Sequence, residues 1–382
     1  MSDALYFDHA AATTVRPEVW AAVAALPHKN LGNPSSVHQF GRRARGYIDT
    51  ARVELAEAFM VSPEEVIFTS GATEALHTSI MGAYLARVNK RGVVYTSPLV
   101  HHCVWAALDF LKNNYQVEVK LLPIDKVGAL DLERITESMI GECDLIVTEH
   151  LNSEMGVLQP AAKLGKKIIR WAETSGQDKP IYIVDAAGSV VGERVGLDFQ
   201  KCDALALSGE KFGALSGSGV LLKRKSLPLT PWQAGSQEWG WRGGSENVLG
   251  IVALNVAYQK HLAEQAEQNQ RFEHYWQQLY HWQQAQPNTT LITPQTPRGG
   301  HILHFLLPHP AHLFVAQADL AGVAVSAGSA CSSGSVEGSR VLANLGYRAE
   351  QSQQGLRISW GWDTSLVEVE RLGEKLKLLL AN

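Results

Sequence analysis

One cysteine lies in a stretch of small side chains, SAGSACSSGS (326–335). Every other residue in this stretch is serine, alanine or glycine. Glycine and serine favour turns over regular structure, so we expect Cys331 on a partly exposed loop. A thiol there is either an incidental residue of a spacer or a nucleophile that must move between partners. The remaining sequence has to decide between these two interpretations.

Three further features with chemical potential follow apolar segments of the chain. A small-residue turn, SGATEA (70–75), follows VIFT and opens a helical pattern, and helix N-termini bind anions such as phosphate. Asp185 follows IYIV, where a buried carboxylate needs a partner such as a neighbouring turn or a protonated heteroaromatic nitrogen. Lys211 follows ALALS in the glycine-flanked turn GEKFG, where burial could lower its pKa and make it nucleophilic.

Each feature alone has an ordinary structural explanation. The turn is usually a helix cap, the carboxylate can cap a neighbouring turn, and a lysine is usually solvated. Taken together, they form a phosphate cradle, a partner for a pyridinium nitrogen and a lysine for covalent attachment. These are the parts that pyridoxal phosphate requires, so the sequence predicts this cofactor.

Apolar runs alternate with amphipathic ones through the first two thirds of the chain. This alternation predicts a mostly parallel sheet covered by helices on both faces. Ligands of such sheets bind at the carboxyl ends of the strands, where the three features lie. The predicted strands are 66–70, 92–97, 144–150, 181–187, 204–208 and 219–223, and the predicted helices between them are 73–88, 99–114 and 161–172.

A long helical pattern runs from about Ser245 to Trp282. Its length exceeds that of a compact helix, so we expect a bend within it. The pattern leads to a C-terminal region with three more apolar segments and a closing helix. These segments are HILHFLL (301–307), GVAVS (322–326) and GLRISWG (355–361), and the helix lies near 364–380.

Composition excludes several classes of protein. The 382 residues exceed one ordinary core and indicate two domains. A net charge of -4 and the lack of a long basic tract argue against direct binding of nucleic acid. The four cysteines are widely spread without a CxxC pair, which argues against a disulfide framework and a zinc site. We find neither a signal peptide nor a membrane-spanning segment, and expect a soluble cytoplasmic protein.

Nine blocks in order along the chain resemble the cysteine desulfurases, a family within the class V aminotransferase group of fold-type I pyridoxal-phosphate enzymes. The resemblance runs nearly from end to end. The blocks are YFDHAAATT (6–14), NPSSVHQFGRRAR (33–45), EVIFTSGATEA (65–75), HLNSEMGVLQ (150–159), VDAAGSVVG (184–192), SGEKFG (208–213), GSQEWGWRGGSEN (235–247), SAGSACSSGS (326–335) and LRISWG (356–361).

The resemblance implies a fold and a division of the chain. A large domain over 13–255 would bind the cofactor through a mostly parallel seven-stranded sheet between helices. A smaller α+β domain, formed by 1–12 and 256–382, would carry the catalytic cysteine loop at about 326–336. Two copies of the chain would form a homodimer.

The resemblance also implies residues that hold the cofactor. Lys211 would bond to it and shuttle the substrate's Cα proton, and Asp185 would keep the pyridine nitrogen protonated. His101 would stack on the ring and serve in proton transfer; without the resemblance, a helix-cap or core histidine is the ordinary interpretation. The phosphate would be held by Ala72, Thr73 and Ser208, and by Ser245 from the other subunit of the dimer.

Substrate contacts and chemistry follow from the same resemblance. Arg357 would bind the substrate carboxylate as a fork, Asn152 would lie beside cofactor and substrate, and Asn33 and Arg242 match blocks near the substrate. Cys331 would take sulfur from L-cysteine as a persulfide, leaving L-alanine, and pass it to an acceptor protein, for instance in iron–sulfur cluster assembly. No other cysteine is expected within reach.

Alternative activities are selenocysteine lyase, C–S lyase and another class V aminotransferase-like activity. A non-catalytic pyridoxal-binding protein is the alternative from outside the enzymes. Its best support is two departures from the family pattern: Gly188 stands where the family has glutamine, and Glu210 stands where it has histidine. Glu210 is expected to point away from the phosphate, pair with a cation or be protonated. The sequence also ends soon after its last helix, whereas family members often use a longer tail to dock a scaffold, which leaves the acceptor open.

Overall fold

The computed structural model describes residues 4–26, 30–293, 295–328 and 338–381. The strands are β1 (Leu5–Tyr6), β2 (Val66–Thr69), β3 (Val93–Thr96), β4 (Glu118–Leu121), β5 (Leu145–Glu149), β6 (Ile181–Asp185), β7 (Ala204–Ser208), β8 (Gly219–Lys223), β9 (Thr290–Leu291), β10 (Ile302–Leu306), β11 (Val323–Ala324) and β12 (Gly355–Ser359). The helices are α1 (Pro17–Ala25), α2 (Gln39–Phe59), α3 (Ala72–Ala86), α4 (His102–Tyr115), α5 (Glu137–Glu142), α6 (Ala161–Ser175), α7 (Leu197–Gln200), α8 (Val248–Gln284), α9 (Ala311–Leu320), α10 (Arg340–Asn344), α11 (Ala349–Ser352) and α12 (Leu366–Leu380).

A seven-stranded sheet in the order β2-β8-β7-β6-β5-β3-β4 confirms the predicted architecture. Strands β7, β6, β5, β3 and β4 pair in parallel, whereas β8 runs antiparallel to both of its neighbours, β2 and β7. All strands except β8 therefore run the same way. The carboxyl ends of β2, β3, β5, β6 and β7 lie along one edge of the sheet.

Both faces of this sheet are buried, which explains why its central strands are continuous apolar runs. Alternate residues such as Val147 and Ile183 pack against α3 and α4 on one face. Their neighbours Ile146 and Val184 face the opposite cluster, which includes residues of α2, α6 and α8. The two helical layers hold the strands rigidly and fix the positions of the residues at the carboxyl edge.

Helix α8 runs without interruption for 37 residues, so no break divides the segment in which a bend was expected. The helix packs against α1 and α2 near its start and against β10 and α12 further along. Its buried residues, from Ile251 to Leu279, contribute to one hydrophobic cluster along most of its length. Tertiary packing at both ends stabilises a helix of about the length that the sequence pattern indicates.

The C-terminal segments form a second, three-stranded antiparallel sheet in the order β12-β10-β9. Strand β1 pairs in parallel with β11, which joins the two ends of the chain. The predicted domain boundary at residue 255 falls inside α8, and that division stays a prediction. No helix among the described residues is long and apolar enough to cross a bilayer.

Candidate active site

A cavity of about 460 Å³ lies at the carboxyl edge of the large sheet. It brings together residues from loops that follow β2, β3, β6 and β7, and from β12 of the smaller sheet. Seven of the residues predicted from the sequence line it: Ala72, Thr73, His101, Asp185, Ser208, Lys211 and Arg357. Residues more than 280 positions apart in the chain therefore share one site.

One end of the cavity is formed by the N-terminus of α3. The helix begins after Gly71, and no side chain caps it among the described residues, so its first N–H groups are available to an anion. A Cβ on Gly219 would lie 2.5 Å from the Gly71 Cα, so only glycine permits this approach of β8. Ser208, at the end of β7, lies against the same turn. This end has the character of a phosphate cradle.

Glu210 occupies part of that end. The Ser208 hydroxyl donates to both carboxylate oxygens of Glu210, at 2.7 and 2.6 Å. Glu210 Oε1 lies 4.0 Å from the Lys211 ammonium, too far for a hydrogen bond. Of the three arrangements expected for Glu210, pointing away is therefore not observed, and the carboxylate faces the cavity beside a cation.

Lys211 lies in the middle of the cavity wall, on a single turn of 3-10 helix after β7. Its Nζ donates to the carbonyls of Ala10 and Ala11, at 2.9 and 2.6 Å. Burial lowers the pKa of Lys211, although Glu210 opposes this shift. A lysine with a depressed pKa and a cavity in front of it is suited to covalent catalysis.

Asp185 ends β6 and is 8% exposed. Burial raises its pKa, while the Ala187 amide, which donates to Asp185 Oδ1 at 3.0 Å, and the nearby His101 and Lys211 lower it. Glu149 pairs in register with Asp185 on the adjacent strand and also lines the cavity. Burial raises the pKa of Glu149 well above its usual value. The sequence analysis missed this second carboxyl group, although it ends a predicted strand in the same way as Asp185.

His101 caps the N-terminus of α4, and its Nδ1 accepts from the Cys103 amide at 3.3 Å. The Cys103 Sγ lies 3.1 Å from the same nitrogen, and Cys103 lines the cavity. Cys103 therefore lies at the cavity, whereas the expectation that no cysteine besides Cys331 is within reach of the substrate sulfur stays a prediction. His101 caps the helix and Cys103 lies in its first turn, so the two side chains are close. The separation of two residues at the start of a predicted helix could have indicated this contact from the sequence. Burial lowers the pKa of His101, and Asp185 opposes that shift.

Arg357 on β12 is 2% exposed and faces the cavity from the opposite side. Its Nη1 donates to the Ser153 carbonyl at 3.0 Å and its Nη2 to Asp8 Oδ1 at 2.7 Å, whereas Nε has no partner among the described residues. A buried guanidinium with an unused donor favours binding of an anionic group.

The segment that contains Cys331 lies outside the described residues, but its flanks are anchored near the site. Ser326 exchanges two backbone hydrogen bonds with Arg357, at 3.1 and 2.7 Å. A Cβ on Gly328 would lie 3.3 Å from Glu154 Oε1, which accepts a hydrogen bond from the Ser339 hydroxyl. Both flanks therefore meet at Glu154, beside the arginine of the cavity.

Two other predicted positions have different surroundings from those expected. Asn152 does not line the cavity: its amide donates to the Leu99 carbonyl and to Glu149, and its Oδ1 accepts from two backbone amides. Gly188 does line the cavity, and its backbone has ordinary helical angles, φ -78° and ψ -33°. These four hydrogen bonds occupy the side chain of Asn152, so it is not available to replace the hydrogen bond that a glutamine at position 188 would supply.

Besides Asn152, three predicted residues lie outside this cavity in the single chain. Asn33 is exposed, and its side chain accepts from the Ser35 amide. Ser245 is also exposed. Arg242 donates to Glu74 at 2.8 Å, and Glu74 itself lines the cavity. Exposure of Ser245 is compatible with the expected role toward a second subunit but does not test it.

Other chemistry has little support in the part of the chain that the structure describes. No group of three or more metal-ligating side chains converges there. Cys143 and Cys202 are buried and unpaired, and burial raises the pKa of Cys143 to about 12. These two thiols are therefore inert structural residues.

The cavity fits pyridoxal phosphate at three points and conflicts with it at one. The uncapped N-terminus of α3 fits the phosphate, the buried Asp185 fits a protonated ring nitrogen, and Lys211 fits the aldehyde. The conflict is Glu210, whose carboxylate binds the Ser208 hydroxyl that was predicted to hold the phosphate.

Comparisons with known proteins give a consistent result. A sequence model described as aminotransferase class-V matches residues 5–372. The cysteine desulfurase IscS of Dictyoglomus turgidum is 31% identical, over 99% of this chain and 97% of its own. The putative cysteine desulfurase IscS 1 of Bacillus subtilis is 30% identical over 96% of each chain.

Solved structures share the same fold. A NifS-like protein superimposes with a TM-score of 0.89 at 26% identity, covering 99% of both chains. A structure of SspA in complex with cysteine superimposes with a TM-score of 0.77 at 26% identity, covering 93% of this chain and 98% of that one. The expected fold is thus found in proteins similar to this chain over nearly their whole length.

Proposed function

Since this chain belongs to the class-V aminotransferase family, we propose that it acts as a cysteine desulfurase that depends on pyridoxal phosphate. The observation that carries this proposal is the convergence of Lys211, Asp185, His101 and Arg357 on one cavity, next to an uncapped helix N-terminus. A non-catalytic binding protein would not need this set of groups, three of which have pKa values shifted by burial.

The roles of the residues follow from their positions. When bound, pyridoxal phosphate accepts the electron pair left at the amino acid's Cα after proton loss. Asp185 would hold a proton on the ring nitrogen, and the N-terminus of α3 would hold the phosphate. Lys211 would hold the aldehyde, and its Nζ would move the Cα proton of the substrate. The lowered pKa of Lys211 supports this role, because a neutral amine is needed as nucleophile and base.

Substrate binding and sulfur transfer involve the other side of the cavity. Arg357 binds the carboxylate of L-cysteine, for which its unused Nε–H is a donor. The Cys331 thiolate attacks the substrate sulfur; an S–S bond forms and the C–S bond breaks. The electron pair of the broken C–S bond stays with the substrate carbon skeleton, which takes one proton at Cβ and regains the proton at Cα, and so yields L-alanine. The sulfur remains on Cys331 as a persulfide, for delivery to an acceptor protein.

The partners are proposed on narrower grounds. L-Cysteine as substrate is supported by the similar SspA structure, which contains cysteine. Ser245 is exposed outside its own cavity, which supports a homodimer in which it reaches the partner's phosphate. The acceptor is proposed only by its chemistry: it is a protein, such as a scaffold protein, that takes over the persulfide sulfur.

Product analysis tests the proposed reaction. Purified protein loaded with pyridoxal phosphate is incubated with L-cysteine and a reducing thiol, and alanine, sulfide, pyruvate and ammonia are quantified. We expect alanine and sulfide in equal amounts, because the transferred sulfur is released by the thiol. Pyruvate and ammonia would instead identify a C–S lyase, and an absence of turnover would favour a binding protein.

Gly188 offers a prediction about cofactor affinity. Gly188→Gln is expected to tighten pyridoxal phosphate binding about three- to tenfold, because the amide supplies one hydrogen bond toward the ring. A Cβ at this position would meet Leu151 and Ser153 at ordinary distances of 3.4 to 3.7 Å. Titration of cofactor-free protein, followed by absorbance, measures the dissociation constant. Gly188→Ala is the matched control, since it adds the Cβ without the amide; equal affinities for all three proteins would refute the prediction.

A further inference from the structure

Glu210 places a negative charge where the cofactor phosphate has to bind. Both carboxylate oxygens accept from the Ser208 hydroxyl, at 2.7 and 2.6 Å, and Glu210 lines the same cavity as Ala72 and Thr73. A hydroxyl has one proton, so while it donates to Glu210 it cannot donate to a phosphate oxygen. The carboxylate and the phosphate therefore require the same donor.

The backbone at this point is fixed. The Glu210 carbonyl accepts from the Thr13 amide at 2.8 Å, and the Gly209 amide donates to the Ser218 carbonyl at 2.8 Å. Gly209 is packed so closely that a Cβ would lie 2.6 Å from the Ser218 hydroxyl. The turn cannot shift as a unit, whereas the Glu210 side chain, which is 22% exposed, has room to rotate.

Among the described residues, Glu210 forms an ion pair with Lys211 only, and that pair is long. The ammonium of Lys211 is 4.0 Å away and is already hydrogen-bonded to two carbonyls, those of Ala10 and Ala11. The other cavity carboxylate at this end, Glu74, differs in this respect. It accepts from Arg242 at 2.8 Å and from the Ser70 amide at 2.7 Å, so its charge is compensated.

We infer that Glu210 is a resident anion that competes with the cofactor phosphate for Ser208. This inference rests on the proposed function, because it concerns the same cavity. Binding of pyridoxal phosphate requires the Glu210 side chain to rotate out of the phosphate end, and a remaining carboxylate nearby repels the phosphate. The chain consequently binds its cofactor more weakly, and exchanges it more readily, than it would without this side chain.

Cofactor titration of three proteins tests the inference. Cofactor-free wild type, Glu210→Gln and Glu210→Ala are titrated with pyridoxal phosphate, and the dissociation constants are obtained from absorbance. We expect both variants to bind about tenfold more tightly or better, because glutamine removes the charge and alanine removes the competing group altogether. Thermal unfolding with inorganic phosphate alone, without cofactor, should show greater stabilisation of both variants than of wild type.

Glu74→Gln is the matched control, since it removes the same charge from the same cavity but leaves Ser208 untouched. It should not tighten binding as the Glu210 variants do. Equal tightening by Glu74→Gln would assign the effect to net charge and overturn the inference. Unchanged affinities in both Glu210 variants would also overturn the inference. In that case the proposed function would still stand if the wild-type protein turned yellow, because the colour shows that it binds the cofactor. Wild type that takes up no cofactor would instead remove the proposed function itself.

Discussion

Lys211→Ala is expected to lose the absorbance of the lysine-bound cofactor. Borohydride, which would attach the cofactor permanently to the wild-type protein, should attach none to this variant. Nζ of Lys211 is the amine that the described cavity places among Asp185, His101 and Arg357, and burial lowers its pKa. Without it, the cofactor has no covalent attachment and the Cα proton has no base. The rate of alanine formation should fall by about a thousandfold or more. Peptide mapping after borohydride reduction should find the cofactor of the wild type on Lys211.

Lys223→Ala is the control for this experiment. Lys223 is 2% exposed, and its pKa, like that of Lys211, is lowered by burial; it lies on β8 with its ammonium over the Trp241 ring. Its removal deletes a similar side chain outside the cavity and should leave the cofactor band intact. The assignment of the attachment site would be wrong if Lys211→Ala still carried cofactor after borohydride reduction, or if Lys223→Ala alone carried none.

The positions of the site residues along the sheet could be predicted because their causes are local. A polar residue that ends a continuous apolar run marks the carboxyl end of a buried strand, and Asp185 and Ser208 are such residues. Strand β4 escaped prediction because its charged residues, Glu118 and Lys120, belong to an edge strand that is only partly buried. Edge strands lack the apolar signature of central ones.

The contacts within the site could not be predicted in the same way, because they depend on side-chain orientation. Asn152 has the residue type expected beside a cofactor, but two backbone amides of its own loop and the Leu99 carbonyl of the loop after β3 use its amide group. Three arrangements were expected for Glu210, pointing away, pairing with a cation or being protonated, and none of them included the hydrogen bond from the Ser208 hydroxyl that the tertiary structure shows. The family resemblance predicts which positions meet, whereas departures from the family pattern have to be resolved by geometry.

The continuous helix α8 illustrates the same limit at a larger scale. A sequence pattern of this length favours a bend, because isolated helical propensity does not keep so long a helix continuous. Contacts with α1, α2, β10 and α12 do so, and these elements come from opposite ends of the chain. Those long-range contacts do not appear in any local window of the sequence.

Cys331→Ser should fold and retain the cofactor but lose nearly all production of alanine and sulfide. A serine hydroxyl is essentially un-ionised at neutral pH and cannot take sulfur from carbon as a thiolate does. The flanking chain supports Cys331 as the acceptor: Ser326 pairs with Arg357 at the cavity, and five residues can extend about 17 Å from there. The measurements are the rates of alanine and sulfide release and the cofactor absorbance, which should be unchanged.

Cys103→Ala is the decisive companion variant, because Cys103 is the cysteine that lines the cavity within the described ranges. Its Sγ is held 3.1 Å from His101 Nδ1 and is nearly buried, whereas sulfur delivery to a protein requires a thiol that can leave the cavity. We therefore expect Cys103→Ala to form a persulfide on Cys331, detectable by mass spectrometry after alkylation. A persulfide on Cys103 in the Cys331→Ser variant, together with near-normal alanine formation, would transfer the role of sulfur acceptor to Cys103 and reject the proposed mechanism.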